Sequence, residues 1–342
     1  MSGERQITWV IDLNKCMGCQ TCSVACKVLW TREEGEEHQW WRTVNTMPGE
    51  GTPRGWEEMG GGFDPDTGEL KPGHQPTREE FGGAWEYNFE EVYFGGTRGK
   101  AFLEPQGPRE NRWAMNWDED QGAGEWPNSY FFYMPRMCNH CTRPACLEAC
   151  PNGAFYKRGD GLVLRDEERC TGTRNCMAAC PYKKIYFNER RNVAQHCIGC
   201  FPRIEAGVAP ACVRQCPGRA MFVGWRDDEE GAVHKLVDKW QLALPLHAEF
   251  GTGPNVFYIP PLSADSLNDD LSFDEGVPRI PPEYLVSLFG PRAPSVLEIL
   301  EEERAKVRGG GTSEIIDTLI AYRWEVCLGP FTADPVEARR TS

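Results

Sequence analysis

The chain has 342 residues, enough for about two domains and a sizeable core. Its 37 basic and 51 acidic residues give a net charge of −14, which argues against nucleic acid, an anionic membrane surface or an acidic protein as the main partner. Sixteen cysteines exceed what an ordinary cytosolic enzyme carries, so they must be disulfide partners, metal ligands or cluster ligands. The sequence has neither a run of about 18 apolar residues nor a basic and apolar export signal at its start, so we expect a soluble chain.

The first predicted element is a strand over residues 7–13, where apolar side chains alternate. It leads directly into a first cysteine block, CMGCQTCSVAC, with the spacing C-x2-C-x2-C-x3-C. Two cysteines separated by two residues can aim their thiolates into one pocket, and this run is typical of loops that fold around an iron-sulfur cube. The four cysteines of block one are Cys16, Cys19, Cys22 and Cys26.

A long segment rich in Trp, Gly and Glu separates Cys26 from Cys138, with turn signals such as Pro48-Gly49 and Pro72-Gly73. An insertion of this length usually carries function or an interface. Its tryptophans have two interpretations that the sequence leaves open. They are either exposed and suited to a protein partner, or they fill a small core of their own. The tryptophans concerned are Trp40, Trp41, Trp56 and Trp85.

Three further cysteine blocks follow with short spacers, which is a ferredoxin-like density. Blocks two to four each end in Cys-Pro, and block three has Thr173 where a second cysteine would stand. Block two contains Cys138, Cys141, Cys146 and Cys150. Block three contains Cys170, Cys176 and Cys180. Block four contains Cys197, Cys200, Cys212 and Cys216.

The remaining elements are short strands between the blocks and helices near the C-terminus. Residues 154–157 and 162–165 are predicted strands. After Cys216 we expect Pro-rich loops, followed by amphipathic helices over residues 293–307 and 313–324. These helices are expected to pack against the cysteine-rich core or a partner.

Fifteen cysteines in four blocks supply ligands for three four-iron clusters and one cluster with only three cysteines. In two-cluster ferredoxins the fourth cysteine of each run ligates the other cluster, so four runs imply two ferredoxin-like units. Disulfides fit four cysteines within eleven residues poorly. Zinc ribbons use C-x2-C pairs two by two, without a third cysteine two residues further on.

Other chemistry in the sequence is sparse. His140 and His196 lie beside cluster cysteines and are expected to donate hydrogen bonds to sulfur rather than ligate iron. Cys327 has no partner at a ligand spacing and is interpreted as a small buried hydrophobic residue. The sequence has no dinucleotide fingerprint, phosphate-binding loop or nucleophile elbow, so no catalytic residue is predicted.

Beyond the cysteines, several segments are similar to one family over nearly the whole chain. They include DLNKCMGCQTC at 12–22, NWDEDQGAGEWPN at 116–128, CIGCFPRIEAGVAPAC at 197–212 and LALPLHAEFGTGPNVFYIPP at 242–261. The chain resembles the iron-sulfur beta subunits of dimethyl sulfoxide reductase-type molybdoenzymes. The matching branch contains nitrate, perchlorate, chlorate and selenate reductases and ethylbenzene and dimethylsulfide dehydrogenases.

The resemblance implies a nested pairing in which the outer blocks share two clusters and the inner blocks share two more. The first 4Fe-4S cluster would be held by Cys16, Cys19, Cys22 and Cys216. The second would be held by Cys26, Cys197, Cys200 and Cys212. The third would be held by Cys138, Cys141, Cys146 and Cys180. The fourth, a 3Fe-4S cluster in this family, would be held by Cys150, Cys170 and Cys176. Nitrate reductases typically carry Trp where this chain has Thr173. A threonine oxygen is a hard, weak ligand, so a cluster with a labile fourth iron is the alternative to the 3Fe-4S cluster.

The expected fold is α+β, with two nested bacterial-ferredoxin-like units, a long loop-rich insertion and a helical C-terminal tail. The outer unit would comprise residues 1–30 and 190–235, and the inner unit residues 131–189. Residues 31–130 would form the insertion and partner interface, and residues 236–342 the Pro-rich loops and helices for subunit docking.

The resemblance implies a non-catalytic subunit that relays electrons between a molybdenum-cofactor alpha subunit and a haem b gamma subunit or cytochrome. It also implies a periplasmic location, reached as a passenger of a catalytic subunit with a twin-arginine signal. The alternative location is cytoplasmic, attached to the membrane through partners. Neither nucleic acid nor a direct membrane span is expected.

Three alternatives concern the assignment itself. The partner is favoured to be an oxyanion reductase, with a hydrocarbon or dimethylsulfide dehydrogenase as the alternative. A formate dehydrogenase- or hydrogenase-type beta subunit usually keeps a full cysteine set at the fourth cluster, which Thr173 disfavours. A free-standing polyferredoxin would need neither the insertion nor the C-terminal tail.

Overall fold

The computed structural model describes residues 5–82 and 121–340, so the prediction for Trp85 lies outside the described residues. Strands and helices are mixed along the chain, as expected for an α+β fold. The strands are β1 (Ile7–Asp12), β2 (Thr43–Met47), β3 (Phe132–Arg136), β4 (Phe155–Lys157), β5 (Val163–Arg165), β6 (Ile185–Asn188), β7 (Val193–His196), β8 (Met221–Trp225), β9 (Leu244–Pro245), β10 (Val256–Ile259), β11 (Asp265–Leu267) and β12 (Phe273–Pro278). The helices are α1 (Thr21–Trp30), α2 (Ala145–Glu148), α3 (Asn175–Ala179), α4 (Phe201–Glu205), α5 (Ala211–Arg214), α6 (Ala232–His234), α7 (Pro282–Phe289), α8 (Ala293–Arg308), α9 (Glu314–Ile320), α10 (Glu325–Leu328) and α11 (Pro335–Arg340).

A four-stranded sheet in the order β8-β1-β10-β9 lies at the centre of the largest apolar core. β1 pairs antiparallel with β8, from Ile7 opposite Trp225 to Ile11 opposite Met221, and parallel with β10. The predicted first strand is therefore confirmed. The alternation suggested that one face of β1 is exposed, but all six of its residues are buried. Helices α6 and α10 pack on the neighbouring strand β8 and help to cover the sheet.

Four two-stranded antiparallel sheets surround this core: β2-β3, β4-β5, β6-β7 and β11-β12. β4 and β5 confirm the strands predicted between blocks two and three, and each begins one residue later than predicted. β6 and β7 follow block three and end directly before Cys197. Short strand pairs thus connect the cysteine blocks, and none of them is large enough to be stable alone.

The region after Cys216 is richer in regular structure than the prolines suggest. The sequence predicts loops there, but β8, β9 and β10 belong to the central sheet. The loop prediction is wrong for these strands because Pro245 occupies an edge strand and Pro254 and Pro260 lie just outside β10, where proline is tolerated. The predicted helix over 293–307 is confirmed as α8, whereas the one over 313–324 ends at Ile320 because Ala321 has a left-handed backbone (φ 50°).

Three of the four tryptophans named in the sequence analysis are described and buried, so their interpretation as an exposed partner surface is wrong, whereas Trp126 near the end of the insertion is 78% exposed. Trp40, Trp41 and Trp56 are each at most 6% exposed. The Arg136 guanidinium lies 3.4 Å from the centre of the Trp56 ring, and His247 packs edge-on against the same ring. These tryptophans therefore fill the core beneath the insertion. Across the described part of the chain, no helix has the length and apolarity needed to cross a bilayer.

Candidate cluster-binding sites

The first site is a cavity at the end of β1, formed by the loop of block one and by the chain that follows α5. The left-handed Gly18 (φ 68°) turns the loop around the cavity, and Cys19 is exposed to solvent. The Ala220 N–H lies 3.4 Å from the Cys216 sulfur and donates to it. The cysteines that line this cavity are Cys16, Cys19, Cys22 and Cys216.

The second site lies one helical turn further along α1, where α1 packs against α5. The Trp30 Nε1–H donates to the Cys200 sulfur at 3.1 Å, and the Gly199 N–H donates to the Cys197 sulfur at 3.4 Å. Arg42 also lines this cavity. Its cysteines are Cys26, Cys197, Cys200 and Cys212.

The third site is a cavity between block two and the end of α3. It is lined by His196 and by the fully buried Lys184, in addition to cysteines. The cysteines are Cys138, Cys141, Cys146 and Cys180. This cavity thus combines three residues of block two with one from block three.

The fourth group of cysteines consists of Cys150, Cys170 and Cys176, which lie close enough to interact electrostatically. The Ala154 N–H donates to the Cys150 sulfur at 3.3 Å, and the Ala194 N–H to the Cys170 sulfur at 3.5 Å. Backbone amides therefore point at these sulfurs, as they do at the other sites.

Block three keeps the backbone of block one without its second cysteine. Gly172 (φ 75°) and Arg174 (φ 61°) adopt the left-handed conformations of Gly18 (φ 68°) and Gln20 (φ 58°). In both blocks a helix begins directly after the second left-handed residue. Thr173 accordingly stands at the place of Cys19, and it is exposed.

Burial and neighbouring thiolates together disfavour free, ionised cysteines at these sites. Burial, followed by the charges of Cys170 and Cys150, raises the pKa of Cys176 to about 12. Burial likewise raises the pKa of Cys141 and of Cys197 to about 12. Thiols of this kind are protonated at neutral pH unless a metal centre stabilises their thiolate form, so binding of such a centre would release protons.

The donor sets suit clusters better than single metal ions. Soft sulfur surrounds each cavity, and peptide or indole N–H groups donate to the sulfurs. Among the described residues, no three His, Cys, Asp or Glu side chains come together closely enough to hold one metal ion. Lys184 is held only by uncharged groups, Trp40 O at 3.3 Å, Thr43 Oγ1 at 3.3 Å and Tyr186 OH at 3.2 Å. Burial, with the nearby Arg136 and Arg42, lowers the pKa of Lys184 well below its ordinary value. Its charged form therefore requires negative charge nearby, which a thiolate-ligated cluster would supply.

The two histidines beside the cysteines are buried and neutral. Burial lowers the pKa of His140 to about 3 and that of His196 to about 4. His140 Nδ1 accepts a hydrogen bond from the Val163 N–H at 3.2 Å, while its Nε2 and both nitrogens of His196 have no hydrogen-bond partner. Among the described residues, neither histidine donates to a cysteine sulfur, and the expectation that they donate to sulfur of a bound cluster stays a prediction.

Sequence reasoning missed three side chains that line or support the sites: Trp30, Arg42 and Lys184. Trp30 follows Cys26 at i+4 on α1, a spacing that places both on one helix face, so a signal existed for this residue. Arg42 and Lys184 reach the cavities only through the tertiary fold, and no local pattern marks them.

The comparisons with known proteins identify an iron-sulfur domain and close relatives. A 4Fe-4S dicluster domain model matches residues 129–226. The beta subunit of dimethylsulfide dehydrogenase from Rhodovulum sulfidophilum is 52% identical over 94% of this chain and 97% of its own. The selenate reductase beta subunit of Thauera selenatis is 50% identical over 93% and 97%. The perchlorate reductase beta subunit of Dechloromonas aromatica is 51% identical over 96% and 98%.

These relatives share about half of their residues with the chain over almost their full length, and the matching domain spans three of the four cysteine blocks. The fold is the α+β, ferredoxin-like 4Fe-4S fold that the cysteine spacing predicts. The chain therefore belongs to the family of iron-sulfur beta subunits of dimethyl sulfoxide reductase-type molybdoenzymes.

Proposed function

We propose that the protein is the electron-transfer subunit of a molybdoenzyme and carries no catalytic site of its own. It relays single electrons between a molybdenum-cofactor alpha subunit and a haem b gamma subunit or cytochrome. The observation that carries this proposal is the sequence of cysteine sites in one chain: three cavities lined by four cysteines each, and a fourth group of three. A series of closely spaced one-electron centres is suited to electron transport rather than to substrate chemistry.

The proposed cofactors are three 4Fe-4S clusters and one 3Fe-4S cluster. The four cysteines that line each of the three cavities would ligate one 4Fe-4S cluster. The group of Cys150, Cys170 and Cys176 would ligate the 3Fe-4S cluster. The pairing supports two nested units: Cys216 of block four lines a cavity with block one, and Cys180 of block three lines one with block two. We assign the outer unit to residues 1–30 and 190–235 and the inner unit to residues 131–189.

The proposed order of electron transfer follows from shared elements. Cys22 and Cys26 lie one turn apart on α1 and would join the first cluster to the second. Cys138 interacts with Cys197, which brings the second site next to the third. Cys176 and Cys180 lie one turn apart at α3 and would join the third cluster to the 3Fe-4S cluster. The haem or cytochrome would then exchange electrons with the 3Fe-4S cluster.

We place the alpha subunit at the exposed edge of the first site. Cys19 is exposed there, and the neighbouring Met17 and Phe131 are 58% and 57% exposed. Exposed apolar side chains around a redox centre suit docking of a second redox protein. Residues 31–130 and 236–342 are proposed to contribute further docking surface.

For the alpha subunit we favour an oxyanion reductase, with a hydrocarbon or dimethylsulfide dehydrogenase as the alternative. Relatives with names of both kinds are 50–52% identical to the chain, so overall similarity does not separate them. The test is to purify the complex and to assay nitrate, selenate, chlorate and perchlorate as oxidants against dimethylsulfide and ethylbenzene as reductants. Turnover of a reductant alone would contradict the favoured assignment.

We further propose a periplasmic location, with the folded subunit exported on the twin-arginine signal of its alpha subunit. Clusters must be inserted into folded protein, and only a route for folded proteins permits that before export. Replacing the twin arginines of the alpha-subunit signal by lysines should then leave both subunits in the cytoplasm. Release of the beta subunit into the periplasm in that strain would refute this route.

The central experiment measures iron and acid-labile sulfide per chain on anaerobically purified protein, together with the EPR spectrum of the oxidised sample. We expect about 15 irons per chain and a 3Fe-4S signal in the oxidised state. About 16 irons without that signal would contradict the 3Fe-4S assignment. Little iron with stoichiometric zinc would overturn the electron-transfer proposal as a whole.

A further inference from the structure

Arg42 is a buried cation at the junction of the first and second cysteine sites. Arg42 directly precedes β2 and is only 2% exposed. It lines the second cavity beside Cys26 and Cys212, and it also interacts with Cys22 of the first cavity. One guanidinium therefore faces the sulfurs of two adjacent sites.

The hydrogen-bond partners of Arg42 do not account for its burial. Nη2 donates to the Met221 sulfur at 2.7 Å, and the guanidinium also lies close to the Cys22 thiol. Among the described residues, Nε and Nη1 meet no oxygen or nitrogen acceptor. Within residues 5–82 and 121–340, the titratable groups near it include Cys22, Cys212, Tyr258 and Lys184, and none of them is a carboxylate. An uncompensated buried cation costs several kcal/mol, so the fold must supply negative charge at this point.

The cysteine sites supply that charge. Arg42 lines the second cavity, and its Nη2 contacts Met221, which lines the first cavity. Thiolates that ligate clusters at these two sites would lie beside the guanidinium and carry the compensating charge. Arg42 does not line the third cavity. Its influence is thus concentrated on the first two sites.

We propose that Arg42 raises the reduction potentials of the first and second clusters relative to the other two. The inference rests on the proposed function, because it requires clusters at these sites. A thiolate-ligated cluster is anionic, and reduction adds one further negative charge. A fixed positive charge in a region of low dielectric constant stabilises the reduced form more than the oxidised form. Arg42 thus adjusts the reduction potentials of the two clusters and is not one of their ligands.

The test is a potentiometric titration, followed by EPR, of the intact complex with wild-type protein, Arg42→Gln and Arg42→Lys. In Arg42→Gln we expect the reduced-to-oxidised ratio of the first and second clusters to fall about tenfold at a given ambient potential, a shift of about 59 mV for a one-electron couple. Arg42→Lys keeps the charge and should remain close to wild type. The third and fourth clusters serve as internal references and should not shift.

Arg226→Gln is the matched control, because it removes a positive charge that is paired with Asp238 at 2.8 Å and is 39% exposed. It should leave all four potentials unchanged. Unchanged potentials in Arg42→Gln with a full iron load, or an equal shift at all four clusters, would overturn the role of Arg42 while the proposed function stands. Failure of both Arg42 variants to take up clusters would show that the shape of the guanidinium is required rather than its charge, and would overturn the role too. A wild-type complex without iron would instead overturn the proposed function.

Discussion

Thr173 decides, at the scale of a single residue, how many irons the fourth site can hold. It stands at the backbone position that Cys19 occupies in block one, between left-handed residues with nearly the same φ. Replacing Thr173 by Cys restores a soft ligand at this position. We expect the iron content to rise by about one per chain and the 3Fe-4S EPR signal of the oxidised protein to disappear.

Thr171→Cys is the matched control for this change. Thr171 is exposed and corresponds to Met17 of block one, which is not at a ligand position. The Thr171→Cys variant adds the same thiol to the same loop, and its iron count and 3Fe-4S signal should stay as in wild type. If Thr173→Cys keeps the 3Fe-4S signal with its thiol free, the equivalence of the two loops does not extend to cluster binding.

Cys327 is the one cysteine outside the four blocks, and its surroundings support a packing role. It is 2% exposed, and its sulfur lies 3.7 Å from the carbonyl oxygen of Arg219. Cys327→Ala should leave the iron content unchanged and lower the free energy of unfolding by ~1 kcal/mol, because a small cavity replaces the sulfur. Cys216→Ala should instead lose at least one iron per chain, because only three cysteines then remain at the first site. Equal iron loss in both variants would make Cys327 a ligand.

At the scale of elements, His247 connects the insertion to the segment before β10. Its Nε2 lies 2.8 Å from Glu57 Oε1, and its Nδ1 lies 2.7 Å from Glu249 Oε1. Burial opposes the charged imidazolium, but the hydrogen bonds to the two carboxylates outweigh it and raise the pKa of His247 above its ordinary value. The protonated form is thus favoured by folding.

The raised pKa predicts the direction of a pH effect on stability. Protonation of His247 stabilises the fold fully below the unfolded pKa of about 6.5, and this contribution is lost as the pH rises through the folded value. We therefore expect the difference in the midpoint of thermal unfolding between His247→Gln and wild type to be largest at pH 6 and to become smaller as the pH rises to 8. His74→Gln, which removes a half-exposed pair with Glu80, is the control and should change little. A pH-independent difference for His247→Gln would contradict the prediction.

The elements show which features the sequence can predict and which depend on distant contacts. The spacing of block one and the strand before it are local, so β1 and the helix after Cys19 could be expected from a short stretch of sequence. The partners of β1 could not, because β8 and β10 lie more than 200 residues away in the chain. The prolines around β10 suggested loops, yet they lie just outside the strand, where no ladder hydrogen bond is needed.

In the candidate sites, too, some residues can be predicted from local sequence and others depend on distant contacts. Spacing identifies three cysteines of each loop, but every four-cysteine cavity also takes one from a distant block, as Cys216 does beside Cys16. That pairing was accessible only through resemblance to a family. Arg42 and Lys184 carried no signal at all, because a buried cation is recognisable only when the charges around it are known.

At the scale of the whole molecule, most of the block cysteines pack in one large core with the central sheet and three of the small sheets. Each two-stranded sheet has too little apolar surface to be stable alone, and the blocks connect them to the central sheet. Burial disfavours the charged form of Lys184, and a thiolate-ligated cluster beside it would offset that cost. Cluster binding is therefore coupled to folding in this protein.

Removal of iron by a chelator under oxidising conditions tests this coupling. We expect the midpoint of thermal unfolding, followed by circular dichroism, to fall by at least ~10 °C, since the four sites then hold protonated thiols beside unpaired cations. Cys327→Ala with a full iron load is the matched control and should shift the midpoint by only a few degrees. If the iron-free protein melts like the loaded one, the sheets hold together without the clusters, and the buried cations must be compensated by the protein alone.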